Sequence, residues 1–194
     1  MRIIAGTLKG RRLEAPSWDG LRPTSDKLRE TLFNILAARV AGARVLDGYA
    51  GTGAIGIEAV SRGAAHVVFV ERDPRAARLI AANLARCGVE NGYAIIRADL
   101  ARTSAPGGER GFDLIVLDPP YADPGAEAIL ARAGAWLAAG GMLVLEHARR
   151  RAAPLAPGSV VHTRTVPSGD SALSFYEPTA APLPAGGETT PSTR

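Results

Sequence analysis

From residue 44 onward the chain alternates short apolar runs with longer stretches in which alanine and leucine recur at helical spacing. Val45-Leu46 leads into a glycine-rich turn, and a helix is expected over about 53–62, stopped at Gly63. Residues 66–70 read as a second strand. Pro74 suits a first helical turn, and 76–87 continues that helix with Gly88 as its C-cap. A third strand is expected at 93–97 and a fourth at 113–118, after a Pro/Gly-rich loop at 104–111. A helix over about 125–139 then precedes a fifth strand at 142–146. Strands alternating with helices of this length predict a mostly parallel sheet covered on both faces.

The two ends depart from this alternation. Residues 2–6 and 11–15 flank Thr7-Leu-Lys-Gly10 as a short extended pair. Thr24 or Ser25 can cap a helix whose apolar positions Leu28, Leu32, Ile35 and Leu36 share one face, and Gly42 ends it. Near the other end, 160–166 and 172–176 are joined by Pro167-Ser-Gly-Asp170, which fits a hairpin and predicts an antiparallel edge. Residues 178–194 are Pro, Ala, Gly, Thr and Ser with almost no large apolar side chain, so a disordered tail is expected.

Composition narrows the class. A hydrophobic content of 46% allows a sizeable core, and no apolar run approaches the roughly 20 residues of a membrane span. The first residues lack an apolar signal region, and the only cysteine, Cys87, cannot form an internal disulfide. A cytoplasmic, membrane-independent protein is expected. Charge is concentrated: residues 1–40 hold eight basic and four acidic side chains, whereas 41–194 hold fifteen of each. The whole net charge of +4 therefore sits in the first fifth of the chain, as expected of a footprint for a polyanion. His66, His147 and His162 are scattered along strand positions, so no metal site is expected.

Two segments carry chemistry. In Val45-Leu-Asp-Gly-Tyr-Ala-Gly-Thr-Gly-Ala-Ile-Gly56 the glycines permit a tight turn and close approach of a ligand to the backbone. Asp47 would repel a pyrophosphate there but can receive an ammonium group, which favours a cationic zwitterion such as S-adenosylmethionine over a dinucleotide. Glu71 ends the second strand, eighteen residues after Gly53, where an acid grips ribose hydroxyls in doubly wound folds. Asp99 follows the third strand, where a carboxylate can accept an adenine amino group. Each acid alone could equally be a helix cap or a solvated loop charge; three at successive strand ends form a pattern.

The second segment is Asp118-Pro-Pro-Tyr121, which closes the fourth strand. The exocyclic amine of a base is a poor nucleophile because its lone pair is delocalised into the ring. A carboxylate accepting one N–H, with a carbonyl accepting the other, would aim that lone pair at a methyl group. Asp118 supplies the carboxylate, and Pro119-Pro120 can hold carbonyls rigidly. Tyr121 offers a face on which an extruded base can stack. A proline turn with a capping aspartate is the structural alternative.

Asp-Pro-Pro-Tyr after such a glycine turn resembles the class I, amino-directed nucleic-acid methyltransferases. Residues 1–13, the segment Leu21-Arg-Pro-Thr-Ser-Asp-Lys-Leu-Arg-Glu-Thr-Leu-Phe-Asn-Ile-Leu36, Gly56-Ile-Glu-Ala-Val-Ser-Arg-Gly-Ala-Ala65 and Gly169-Asp-Ser-Ala-Leu-Ser-Phe-Tyr176 are similar to the RsmD family. That family methylates N2 of a guanine in 16S ribosomal RNA. The resemblance implies a Rossmann-like class I methyltransferase fold, a mostly parallel seven-stranded sheet with an antiparallel C-terminal edge. It implies a hairpin and helix extension at 1–42, a methyltransferase domain at 43–177 and a tail beyond. It further implies S-adenosylmethionine bound by Arg22, Thr24, Asp47, Tyr49, Ala50, Gly51, Thr52, Gly53, Glu71, Arg72, Asp99, Leu100 and Asp118. Asp118, Pro119, Pro120 and Tyr121 would hold the guanine, and Arg2, Lys9, Arg11, Arg12, Lys27 and Arg29 would lie on RNA of the small ribosomal subunit or its assembly intermediate. A monomer is expected. One departure is Gly48-Tyr49, where the family commonly shows Leu-Phe.

Three other readings compete. A DNA adenine-N6 methyltransferase would use Asp-Pro-Pro-Tyr equally well, but usually carries a target-recognition domain for which this chain has no room. A non-catalytic RNA-binding assembly factor would not need Asp118 and Tyr121 intact. A nicotinamide dehydrogenase is disfavoured by Asp47 and by the incomplete dinucleotide fingerprint.

Overall fold

The computed structural model describes residues 1–18, 24–104, 106, 110–120 and 125–179. Among them are seven strands: β1 Arg44–Gly48, β2 His66–Glu71, β3 Tyr93–Arg97, β4 Phe112–Leu117, β5 Leu137–Ala148, β6 Val160–Ser168 and β7 Ser171–Pro178. Four helices, α1 Asp26–Val40, α2 Ala54–Ser61, α3 Pro74–Arg86 and α4 Ala126–Gly134, accompany them. The strands form one sheet in the order β3-β2-β1-β4-β5-β7-β6. Pairings from β3 through β5 are parallel, whereas β7 runs antiparallel to both β5 and β6. The fold is the Rossmann-like one expected of a class I methyltransferase, with its antiparallel C-terminal edge. The strand order reverses between β1 and β4, which places the ligand crevice of such sheets at their carboxyl ends.

Two hydrophobic clusters cover the two sheet faces. Val45, Val67, Phe69, Leu114, Val116 and Val144 pack with α1, α2 and α3, and Ile3 and Leu13 of the N-terminal pair join them. Leu46, Val68, Val70, Ile115, Leu117 and Leu145 turn to the other face against Ile129 and Leu130 of α4. This is the alternation of a strand, with neighbouring residues on opposite faces. The N-terminal extension thus buries its apolar residues in the same core as the sheet.

Local signals set most boundaries. Ser25 caps α1 by accepting the Leu28 N–H at 3.2 Å, and Asp73 caps α3 with Pro74 in its first turn. The N-terminal pair is minimal: one antiparallel bridge joins Arg2 and Arg12, with Ile3 N–H donating to Arg11 O at 2.9 Å. Among the described residues, no helix is long and apolar enough to cross a membrane.

Three expectations change. The helix expected over 125–139 stops at Gly134, and β5 begins at Leu137 rather than 142. Phe112 N–H donates to Trp136 O at 2.8 Å and Phe112 pairs with Leu137, so a long-range ladder overrides the helical preference of an alanine-rich stretch. Secondly, Pro178 pairs with Val160 and Thr179 N–H donates to Ser159 O, so these two residues belong to the sheet edge and not to the tail. Residues 180–194 lie outside the described residues. Thirdly, Arg29, expected on an RNA surface, is 0% exposed: it bonds Asp26 and Arg2 O from inside the core and faces Glu58.

Candidate active site

Four carboxylates stand at the carboxyl ends of adjacent strands. Asp47 lies near the end of β1, Glu71 ends β2, Asp118 follows β4, and Glu146 lies near the end of β5. Each is an even number of residues from an apolar neighbour on the face packed by α1 to α3: Val45, Phe69, Val116 and Val144. Alternation therefore points all four to one side of the sheet. Asp47, Glu71 and Glu146 are buried, and Asp118 is half-buried.

The glycine turn is built against the first two. The Asp47 Oδ2 accepts the Gly56 N–H at 2.8 Å, tying β1 to the start of α2. The Glu71 Oε2 accepts the Gly51 N–H and its Oε1 the Asp73 N–H, both at 2.8 Å. Ala50 N–H donates to Val70 O, so the turn lies across the end of β2. Gly51 and Gly53 take φ of 56° and 76°, left-handed values that a side chain resists. Tyr49 takes φ of 62° without that freedom, a strained conformation of the sort found at ligand sites. A Cβ on Gly56 would stand 2.2 Å from the Phe69 ring, so this glycine sets how closely α2 lies on β2. The Gly48 departure is compensated: a Cβ there would meet Leu117 and Leu100 within 2.7 Å, and these side chains fill the space under the turn.

Burial pushes the Asp47 carboxyl up to about 8; the Gly56 N–H opposes this and the charge of Glu71 adds to it. Asp118 is also raised well above the carboxylate range, chiefly by burial and then by Glu146, with which it shares a side-chain hydrogen bond. Thr24 Oγ1 donates to Asp118 Oδ2 at 3.3 Å and works in the other direction. Among the described residues, no basic side chain acts on either group. Pro119 is buried and Pro120 exposed. The Asp118 N–H points to Gly48 O at 3.4 Å, which brings the two sequence segments together at the switch point.

The remaining expected residues divide. Asp99 caps a short 3-10 turn, Leu100–Arg102, by accepting the Ala101 N–H on Oδ1. Arg72 is exposed at the end of β2. Thr52 and Leu100 are only 5% and 2% exposed; Thr52 turns its hydroxyl to Met1 Sδ, and Leu100 packs beneath Gly48. Neither side chain is presented to a ligand, which leaves their backbones as the available contacts. Arg2, Lys9, Arg11, Arg12 and Lys27 are exposed, as a polyanion footprint requires. Arg22 and Tyr121 lie outside the described residues. Glu146 is a site residue that sequence reasoning missed. Its one legible signal is an acid at a strand end, the same signal that marks Asp47 and Glu71.

The donor set fits a cationic methyl donor. The Asp47 and Asp118 carboxyls, with no offsetting base among the described residues, gain by receiving a positive charge, whereas a pyrophosphate would meet repulsion. Asp47 and the turn would hold the charged end, Glu71 the ribose and Asp99 the adenine. Bound there, the donor supplies an electrophilic methyl group on a sulfonium.

Comparison with known proteins agrees with this geometry. Residues 1–177 match a family model described as conserved hypothetical protein 95. The ribosomal RNA small subunit methyltransferase D of Escherichia coli K12 is 33% identical over 182 residues, covering 91% of this chain and 89% of that protein. The protein of the same name from Haemophilus influenzae is 41% identical over 123 residues, covering 62% and 64%. A solved hypothetical protein from Thermus thermophilus superposes with a TM-score of 0.74 at 32% identity, covering 90% of this chain and 98% of its own. With the carboxylate-lined crevice, the glycine turn, the family match over residues 1–177 and the Escherichia coli relative aligned over 91% of the chain, the protein belongs to the RsmD family of methyltransferases.

Proposed function

We propose that the protein transfers the methyl group of S-adenosylmethionine to the N2 amine of a guanine in 16S ribosomal RNA, in the small subunit or its assembly intermediate. The observation that carries this reading is Asp118: a half-buried carboxyl at the end of β4, joined to Gly48 of the cofactor turn and followed by a rigid Pro119-Pro120. An acceptor of this kind, beside a methyl-donor crevice, suits an amine rather than a carbon or oxygen nucleophile. Relatives named for small-subunit rRNA methylation support the polymer.

Asp118 accepts one N–H of the amine and directs its lone pair, while Thr24 holds the Asp118 carboxyl from the other side. A positive charge beside Asp118 would favour its ionised form, against the upward push of burial and Glu146. The leaving sulfide is neutral, so these residues contribute mostly by position and charge complementarity. Tyr121 is assigned the stacking role from sequence. The exposed Arg2, Lys9, Arg11, Arg12 and Lys27 provide the RNA contact of the 1–42 extension.

The test is tritiated methyl transfer from S-adenosylmethionine to unmethylated small subunits, naked 16S rRNA and duplex DNA free of adenine methylation. Label recovered as N2-methylguanine from rRNA is the expected result. Label confined to DNA adenine would replace the substrate. Absence of label with intact cofactor binding would turn the reading to a non-catalytic assembly factor.

A further inference from the structure

Asp118 is placed by more than its own strand. The β4–β5 ladder pairs Leu114 with Met142, Ile115 with Leu143, Val116 with Val144 and Leu117 with Leu145. The next positions are Asp118 and Glu146, which stand opposite one another on the same face. Glu146 is 5% exposed, and a hydrogen bond joins the two carboxyl groups. Two adjacent carboxyls in this position can share one proton, because ionising both at contact distance is costly.

We propose that Glu146 is a positioning residue of the methyl-acceptor site, sharing a proton with Asp118 and so setting the carboxylate that receives the proton of the reacting amine. The inference rests on the function proposed above. In the step, the amine lone pair forms the N–CH3 bond and the electrons of the CH3–S bond stay with the sulfide. One N–H proton passes to the Asp118 carboxylate, where Glu146 accepts a hydrogen bond from it. The methyl donor is the only co-reactant.

The groups facing Asp118 agree with this arrangement. Asp47 approaches from β1, Glu146 from β5 and the neutral Thr24 from the segment before α1. The β7 residue opposite Glu146 is Leu173, and α1 packs Leu28 and Leu32 into this face while its Arg29 is engaged by Asp26, Arg2 O and Glu58. His147 is turned to the other face, where Nε2 meets Ser174 Oγ at 2.8 Å. Among the described groups acting on Asp118, then, the acids are Glu146 and Asp47, and only Glu146 bonds to it. A lone aspartate is a weak base near neutral pH; one raised by an adjacent carboxylate is better matched to accepting a proton there.

The test compares wild type with Glu146→Gln and Glu146→Asp in two measurements. Carboxyl carbon NMR of the 13C-labelled, ligand-free full chain, with the Asp118 signal identified by its loss in Asp118→Asn, reads the titration directly. The pH profile of kcat for methyl transfer, alongside S-adenosylhomocysteine affinity, reads its consequence. In Glu146→Gln the Asp118 titration and the acidic limb of kcat should both move down by about one pH unit. The plateau of kcat should fall about tenfold, with S-adenosylhomocysteine affinity held within about twofold. Glu146→Asp should restore much of the upward titration. An Asp118 titration that does not move in Glu146→Gln overturns the proposal, as does a kcat loss that only follows loss of ligand binding. If wild type transfers no methyl group to any RNA, the proposed function fails, and the NMR titration still decides whether the two carboxyls share a proton.

Discussion

Arg29 and Glu58 face each other across the junction of α1 and α2, guanidinium to carboxylate at 3.7 Å, with neither side chain exposed to solvent. Glu58 also accepts the backbone N–H groups of Ile4 and Ala5 at 2.8 and 3.0 Å and the Arg62 Nε–H at 2.8 Å. Through this one carboxylate the N-terminal pair, α1 and α2 are held together. Removing Arg29 leaves Glu58 with Arg62 and two backbone N–H donors but takes the buried donor from Arg2 O and the packing of its stem, so Arg29→Met should lower stability by about 1–3 kcal/mol. Urea unfolding checks this, and an effect under about 1 kcal/mol would show that the pair is not a structural anchor.

The same burial separates Arg29 from its basic neighbours. Replacing exposed Lys9, Arg11 and Arg12 by alanine should weaken RNA binding and flatten its dependence on salt. If each of the three side chains meets one phosphate, the slope of log K against log salt should change by about 2–3. Arg29→Met should leave that slope unchanged, provided the protein remains folded. Filter binding across a salt series gives both answers.

Asp47 ties stability to pH. Its carboxyl is raised from 3.8 to about 8 in the folded chain. A raised folded pKa means that the protonated form suits the fold, so this contribution is complete below the ordinary pKa. It is lost progressively as pH rises from about 4 through about 8. The ligand-free protein should therefore melt at lower temperature at pH 8 than at pH 5.5 on account of this group, and Asp47→Asn should flatten the trend. A cationic ligand favours the ionised form, so binding S-adenosylmethionine at pH 6.5 should expel a proton. Calorimetry in buffers of different ionisation heat measures that release, and none in wild type would remove Asp47 from the cofactor site.

Asp118→Ala should abolish methyl transfer while S-adenosylhomocysteine affinity changes by less than about threefold, since its role lies with the amine. Turnover retained in that variant would assign the acceptor to another group. Equal loss of binding and turnover would instead make Asp118 part of the cofactor site alone.

Gly56 is held for a packing reason. Its absent Cβ would overlap the Phe69 ring at 2.2 Å, so Gly56→Ala should push α2 off β2 at a cost of about 1–3 kcal/mol. Because Gly56 N–H also anchors Asp47, cofactor affinity should fall with stability. Thermal melts with and without ligand would show whether the two move together.

Much of this protein is legible in order along the chain. The glycine turn, the acids at strand ends and Asp-Pro-Pro are local: each depends on backbone angles or on a residue's place at the end of an apolar run. The parallel sheet and its antiparallel edge follow from the length of each connection, helix-sized between early strands and two residues between β6 and β7. What the chain does not show locally is which residues meet. Arg29 reads as one more charge in a basic stretch, and only the approach of α2 and the N-terminal pair buries it. Residues 137–139 read as helix until Phe112 offers them a ladder. Glu146 reads as a strand-end acid, and its place beside Asp118 exists only because β4 and β5 are parallel in a register that brings positions twenty-eight apart face to face. Periodicity tells each strand which face to turn inward; the register between strands comes from the packing of the whole sheet, and it decides which carboxyl shares a proton with which.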